Sequence, residues 1–144
     1  MNTTGIKIVL DTNILIAIIG RKSPYRWIFD GIINGDFILC VSNEIILEYR
    51  EILQIKTGIV VAKNMIDFLT IHPFVEKHDP FYNFQLISQD KDDNKFVDCA
   101  IAANAFCIVT HDHHFKILDK IKFPEVRTCS ISEFESKLKS LGLI

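Results

Sequence analysis

The sequence predicts an α/β domain with a central, mostly parallel sheet. Short apolar runs alternate with longer stretches of helical periodicity, and two of those runs are followed closely by an aspartate, Asp11 and Asp112. The 144 residues are 49% apolar, enough for one well-supplied core. A chain this long folds as a single domain, here 1–144, and buries roughly 68% of its unfolded surface. The apolar surplus leaves surface for a partner or a second copy.

The first strand is Ile6–Leu10, ending at Asp11. After a short helical stretch, Ser23-Pro24 reads as an N-cap with proline at the first helical position, opening a helix that runs to Asn34-Gly35. Phe37–Val41 is the second strand, and Ser42 caps the next helix. There Ile45, Tyr49 and Ile52 repeat at i, i+4 and i+7, while Glu44, Glu48 and Glu51 repeat on another face. Thr57 opens a further helix that ends near Ile71, because Pro73 forbids much more. The stretch 73–92 is irregular, with 84–87 as a candidate edge strand. A helix of small and apolar residues follows from Asp93 and leads into a strand at 107–110. Residues 115–121 read as a short helix and 126–129 as the last strand. The terminal helix opens with the capping box Ser130-Ile-Ser-Glu133 and stops at Gly142. No repeat, linker or low-complexity segment interrupts this order.

Several function classes are disfavoured. No apolar run reaches the roughly 18 to 20 residues that span a bilayer. The N-terminal MNTTGIKIVLD meets a charge too soon for a signal peptide and reads as a buried strand. Cys40, Cys99, Cys107 and Cys129 show no CxxC or zinc-type spacing, and three lie in strongly apolar segments, which suits a reducing cytoplasm. A net charge of -2 lacks the basic signature of a simple nucleic-acid binder, unless the acids gather where cations sit. There is no GxxxxGK[ST] or GxGxxG to indicate a nucleotide cofactor.

The acids are the informative residues. In parallel α/β sheets, functional groups collect at the carboxyl ends of strands. Asp11 and Asp112 follow strands, Glu48 lies within two turns of its helix start, and Asp98 sits in an otherwise apolar helix. An ionised carboxylate is almost never buried unpaired, so Asp98 in FVDCAIAANA points to a role. Two charges 4 Å apart repel by about 1 kcal/mol in water and about 4 kcal/mol at an effective dielectric of 20. Four acids converging on one sheet edge therefore require protonation or a cation, and oxygen-only ligands favour Mg²⁺ or Mn²⁺. Such ions activate water and stabilise the leaving oxygen of a phosphodiester.

Four segments resemble one family. IVLDTNILI, SNEIILEYREIL and DDNKFVDCAIAANAFCIVTHD, spanning 6–112 in order, are similar to the conserved segments of PIN domains, and the SEFESKL helix fits too. The nearest likeness is to prokaryotic PIN proteins related to the toxin half of VapBC-type toxin–antitoxin pairs. The resemblance implies a three-layer α/β/α fold and a Mg²⁺- or Mn²⁺-dependent endoribonuclease. It implies metal binding and catalysis by Asp11, Glu48, Asp98 and Asp112, with Asn13 and Thr110 as supporting polar groups. It further implies an RNA substrate, an antitoxin whose tail occupies the cleft, and a possible homodimer. Asp93 lies about 140° round the helix from Asp98, so the two cannot point identically at one ion. It is read either as the helix N-cap or as a support to the site.

Other constellations are weaker. His111, His113 and His114 flank Asp112, but two are adjacent and none forms an HxxxH pair. His72 and His78 read as isolated and exposed. Ser42 and Cys99 have no evident base partner. A phosphoacceptor domain would need an adjacent acidic pair before the first helix, whereas Asp11 stands alone. A silent PIN-like module that binds RNA or protein without cutting would be marked by the loss of one acid, and none is lost.

Overall fold

A computed structural model describes residues 5–144. Five strands lie in the order β3-β2-β1-β4-β5, and every neighbouring pair is parallel. They are β1 (Ile6–Leu10), β2 (Phe37–Val41), β3 (Val75–Lys77), β4 (Cys107–Val109) and β5 (Thr128–Cys129). The helices are α1 (Thr12–Ile19), α2 (Arg26–Asn34), α3 (Asn43–Thr57), α4 (Ile59–Ile71), α5 (Asn94–Ala103) and α6 (Ile131–Ser140). All carboxyl ends of a parallel sheet lie on one edge, and β1 is central. Asp11 is therefore flanked by the chain leaving β2 on one side and β4 on the other.

Helices cover both faces. Over one face α2 and α6 meet, where Trp27 stacks on Phe134 with centroids 6.0 Å apart and both rings pack against Phe37 of β2. The approach is close: a Cβ on Gly31 of α2 would lie 2.5 Å from the Phe37 ring. Side chains alternate along a strand, so Cys40 points to the opposite face, where Cys99 of α5 lies near it. α5 packs on β1, β2 and β4. Helix, sheet and helix thus form three layers. All four cysteines are buried and free.

Local chemistry sets most boundaries. Ser42 accepts from the Ile45 N–H, and the Ser130–Glu133 capping box forms in full. Gly35 ends α2 in the left-handed region, φ 84°. Other boundaries differ from the expectation. Ser23 is not the cap of α2: its hydroxyl donates to the Ala17 carbonyl at 2.5 Å and accepts from the Tyr25 N–H, folding a turn, and the helix starts at Arg26. Thr57 closes α3 rather than opening α4, its hydroxyl donating to the Leu53 carbonyl, and Gly58 separates the two helices.

The strand on the free edge of β2 is β3, Val75–Lys77, and not 84–87. Side chains hold that later segment instead. Phe84 N–H donates to Asp98, and Ile87 exchanges two hydrogen bonds with the Asn94 carboxamide at 2.9 and 2.8 Å. α5 begins at Asn94, after a 3-10 turn over Lys91–Asp93, and another 3-10 segment spans His113–Lys120. His72 and His78 are half-buried rather than exposed: His72 lies between Phe68 and Phe74, and His78 bonds Glu76 at 2.9 Å.

A polar contact ties α3 to the sheet, the Tyr49 hydroxyl donating to the Leu10 carbonyl at 2.5 Å in a fully buried setting. That bond fixes the helix beside the end of β1 and so places Glu48 at its rim. Tyr49→Phe leaves the Leu10 carbonyl without this donor and should cost about 1 to 2 kcal/mol, read as a lower urea midpoint at unchanged slope.

Candidate metal centre

The ends of β1 and β4 are locked together. Asp11 N–H donates to the Val109 carbonyl at 3.1 Å, and one residue later Thr110 N–H donates to Cys129 at 2.9 Å. This register brings the Thr110 hydroxyl onto Asp11 Oδ2 at 2.9 Å. The same hydroxyl oxygen accepts the Asp112 N–H at 3.0 Å. A single threonine therefore orients both strand-end aspartates. Asp112 in turn accepts the His114 N–H at 2.9 Å, which turns the chain back toward the site.

Glu48 arrives from α3. Its Oε2 accepts from the Thr12 hydroxyl, and its Oε1 accepts from the Lys95 ammonium at 2.7 Å. One carboxylate of the predicted four is thus already paired with a cation. Asp11 remains close enough to Asp112 and Glu48 to feel both charges: burial raises its pKa, hydrogen bonds from Thr110 and Thr12 oppose that rise, and the two neighbouring acids add to it.

Asp93 joins this cluster. It is only 8% exposed, and its carboxyl is pushed up to about 7, first by burial and then by Asp90, Asp112 and Asp11, against a small opposing effect of His114. It occupies the N-cap position of α5 but makes no side-chain cap bond, so its carboxylate is left for the site. Asp98 faces elsewhere. Its Oδ1 accepts the Phe84 N–H at 3.1 Å, and the neighbouring acid that raises its pKa, after burial, is Glu44. The structure therefore gathers Asp11, Asp93, Asp112 and Glu48, and sets Asp98 beside Glu44.

Residues that the motif reading passed over complete the arrangement. Thr12 and Lys95 hold Glu48, while Asn13 is exposed in the first turn of α1. His114 Nδ1 lies 3.4 Å from Asp112 Oδ1 and 3.7 Å from Asp93 Oδ2. Neither His114 Nδ1 nor Asp93 Oδ2 has a hydrogen-bond partner, although both atoms are buried. Asp90, Asp93 and His114 offer ligand atoms within 4.8 Å of one another. A test for an HxxxH pair misses such a histidine, because its partners come from another segment. His111 instead accepts the Ile131 N–H, and His113 is exposed.

The donor set fits a hard divalent cation. Asp90, Asp93 and the His114 imidazole come within reach of one ion, Asp11 and Asp112 lie close enough to Asp93 to raise its pKa, and two buried ligand atoms are unsatisfied. Asp11, Asp93 and Asp112 would hold the ion, with Asp90 and His114 at its flank.

A sequence model of the PIN domain family matches residues 7–114, from β1 past the last of these acids. No curated protein matches the chain. A chain in the crystal structure of VapBC2 from Rickettsia felis bound to a DNA fragment from their promoter has a similar fold. Its TM-score is 0.59 at 18% identity, over 87% of this chain and 98% of that one. The family-model match over most of the chain's length shows that this chain belongs to the PIN domain family.

Proposed function

We propose that the protein is a Mg²⁺- or Mn²⁺-dependent endoribonuclease, the toxin of a type II toxin–antitoxin pair. The observation that carries this reading is the convergence of Asp11, Asp93 and Asp112 at the ends of β1 and β4 and the start of α5. Burial and mutual repulsion there make the unbound charged state costly. A divalent ion at such a site activates water and neutralises charge on a phosphodiester. The chain's own residues do the rest. Thr110 fixes the direction of Asp11 and Asp112, and Thr12 and Lys95 fix Glu48. Asp98 enters this reading outside the metal cluster.

The wider reading includes an antitoxin covering the carboxylate cleft, a homodimer and a reducing, cytoplasmic setting. The fold likeness to a chain of the VapBC2 structure supports an antitoxin partner. Leu47, Ile55, Ile59 and Val60, exposed on α3 and α4, supply apolar surface for a partner or second copy. Four buried free thiols suit a reducing compartment, and no described helix is long and apolar enough to cross a membrane.

Cleavage of single-stranded RNA is expected with Mn²⁺ or Mg²⁺ and not with EDTA. Replacing an outer-shell partner of a metal ligand typically costs about 10- to 100-fold, so Thr110→Val should fall in that range and Asp11→Asn beyond it. Undiminished cleavage by Asp11→Asn, or cleavage in EDTA, would refute the reading.

Stability supplies a second, activity-free check. The pKa of Asp93 is raised in the folded state to about 7, against 3.8 ordinarily, so the folded chain retains a proton that the unfolded chain releases. Stability is therefore fully present at acid pH and is lost as pH rises through the folded pKa. In EDTA the melting temperature should fall between about pH 4 and about pH 7, and Asp93→Asn should flatten the fall. Added Mn²⁺ should raise the melting temperature more at the higher pH, where it replaces the proton. A melting curve indifferent to Mn²⁺ at both pH values would argue against the metal centre.

A further inference from the structure

Beside the carboxylate cluster lies a second polar cleft of about 350 Å³, between the start of α3, the start of α5 and the segment 83–92. Its walls carry the acids Glu44, Asp92 and Asp98, the carboxamides of Asn83 and Gln85, and the lysines Lys91 and Lys95. Lys95 belongs to both places, since its ammonium holds Glu48 while its side chain lines the cleft. We propose that this cleft receives a guanine base of the RNA strand, with Asp98 accepting the N1–H and 2-amino donors of its Watson–Crick edge. The inference rests on the ribonuclease reading, and it makes Asp98 a specificity-determining residue instead of a metal ligand.

Asp98 is 4% exposed, yet its carboxylate lines an open cleft. The Phe84 N–H holds Oδ1 at 3.1 Å and so fixes the plane of the carboxylate, while Oδ2 carries no protein hydrogen bond. That second oxygen is open to the cleft, so it is free to accept from a ligand seated there. Single-stranded RNA is recognised chiefly on unstacked bases through their Watson–Crick edges. A carboxylate offers only acceptors, and guanine alone presents two adjacent donors on that edge. Adenine and cytosine each pair one amino donor with a ring acceptor that the carboxylate would repel. The Asn83 and Gln85 carboxamides can serve the remaining acceptors of the base. The volume is at the small end for ligand pockets, which suits a mononucleotide unit. Lys91 would attract the attached phosphate, and the Asn83 and Gln85 carboxamides, which can donate to the acceptors of a base, favour a nucleotide over the other candidate for an acidic cleft, an arginine side chain of a protein.

The test needs no cleavage. Wild-type protein in EDTA is titrated with 5′-GMP, with 5′-IMP, which lacks only the 2-amino group, and with 5′-AMP, following the perturbed amide resonances by NMR. GMP should bind about tenfold or more tightly than IMP or AMP, as expected for a bidentate base contact. In Asp98→Asn, which keeps an oxygen for the Phe84 N–H, that ratio should collapse toward unity. Equal binding of GMP and IMP by the wild type, or no GMP binding, overturns the proposal without recourse to any variant. So does an arginine amide that displaces GMP and binds more tightly. A guanine preference in a protein that cleaves no RNA would support the cleft and sink the ribonuclease reading alone. Cleavage of RNA with no base preference in binding would do the reverse.

Discussion

The hydrogen bond from Thr110 to Asp11 is the contact on which the rest of the site depends. It exists because β1 and β4 pair in one register, with Asp11 N–H on the Val109 carbonyl. Slipping that register by one residue would turn Thr110 to the other face of the sheet and leave Asp11 buried without its donor. The same hydroxyl also accepts from the Asp112 N–H, so both strand-end carboxylates are positioned by one side chain and by the sheet itself. The core beneath is predominantly apolar, which stabilises the register and at the same time makes the acids above it expensive to ionise. Like charges a few ångströms apart cost on the order of 1 to 4 kcal/mol per pair, a large share of a small domain's stability. The site is therefore a place where the fold gives up stability that a cation can restore.

Much of this was legible in the sequence because it follows from local rules. The apolar runs that became β1, β2 and β4, the capping box at Ser130 and the stop at Gly35 each depend on a few adjacent residues. Asp11 and Asp112 could be placed because an aspartate after a parallel strand has only one edge to occupy. The errors fall where tertiary partners overrule local signals. Ser23 looks like a cap, but the Ala17 carbonyl is within its reach and captures the hydroxyl. Residues 84–87 have strand-like composition, yet Asp98 and Asn94 side chains satisfy their backbone, while the short Val75–Lys77 takes the free edge of β2. His114 is invisible to any spacing rule, because Asp93, the residue that gives it meaning, lies in a different segment.

Asp93 and Asp98 show how finely helical phase divides chemistry. Five residues at 100° per residue leave two side chains about 140° apart, so one helix cannot turn both toward the same ion. What decides between them is where α5 begins. The 3-10 turn over Lys91–Asp93 ends against Asn94, whose carboxamide is clamped to Ile87, and this fixes the first turn of the helix in rotation as well as position. Asp93, at the mouth of the helix, then falls toward Asp11 and Asp112, and Lys95, two residues on, reaches Glu48. Asp98 is carried round to Glu44 and the neighbouring cleft. An apolar helix interrupted by an acid signals that the acid has work to do, but composition alone does not say on which side of the helix. The clamp on Asn94 answers that question. It separates a carboxylate suited to holding a cation from one suited to reading hydrogen-bond donors, with Lys95 between them, holding Glu48 and lining the cleft.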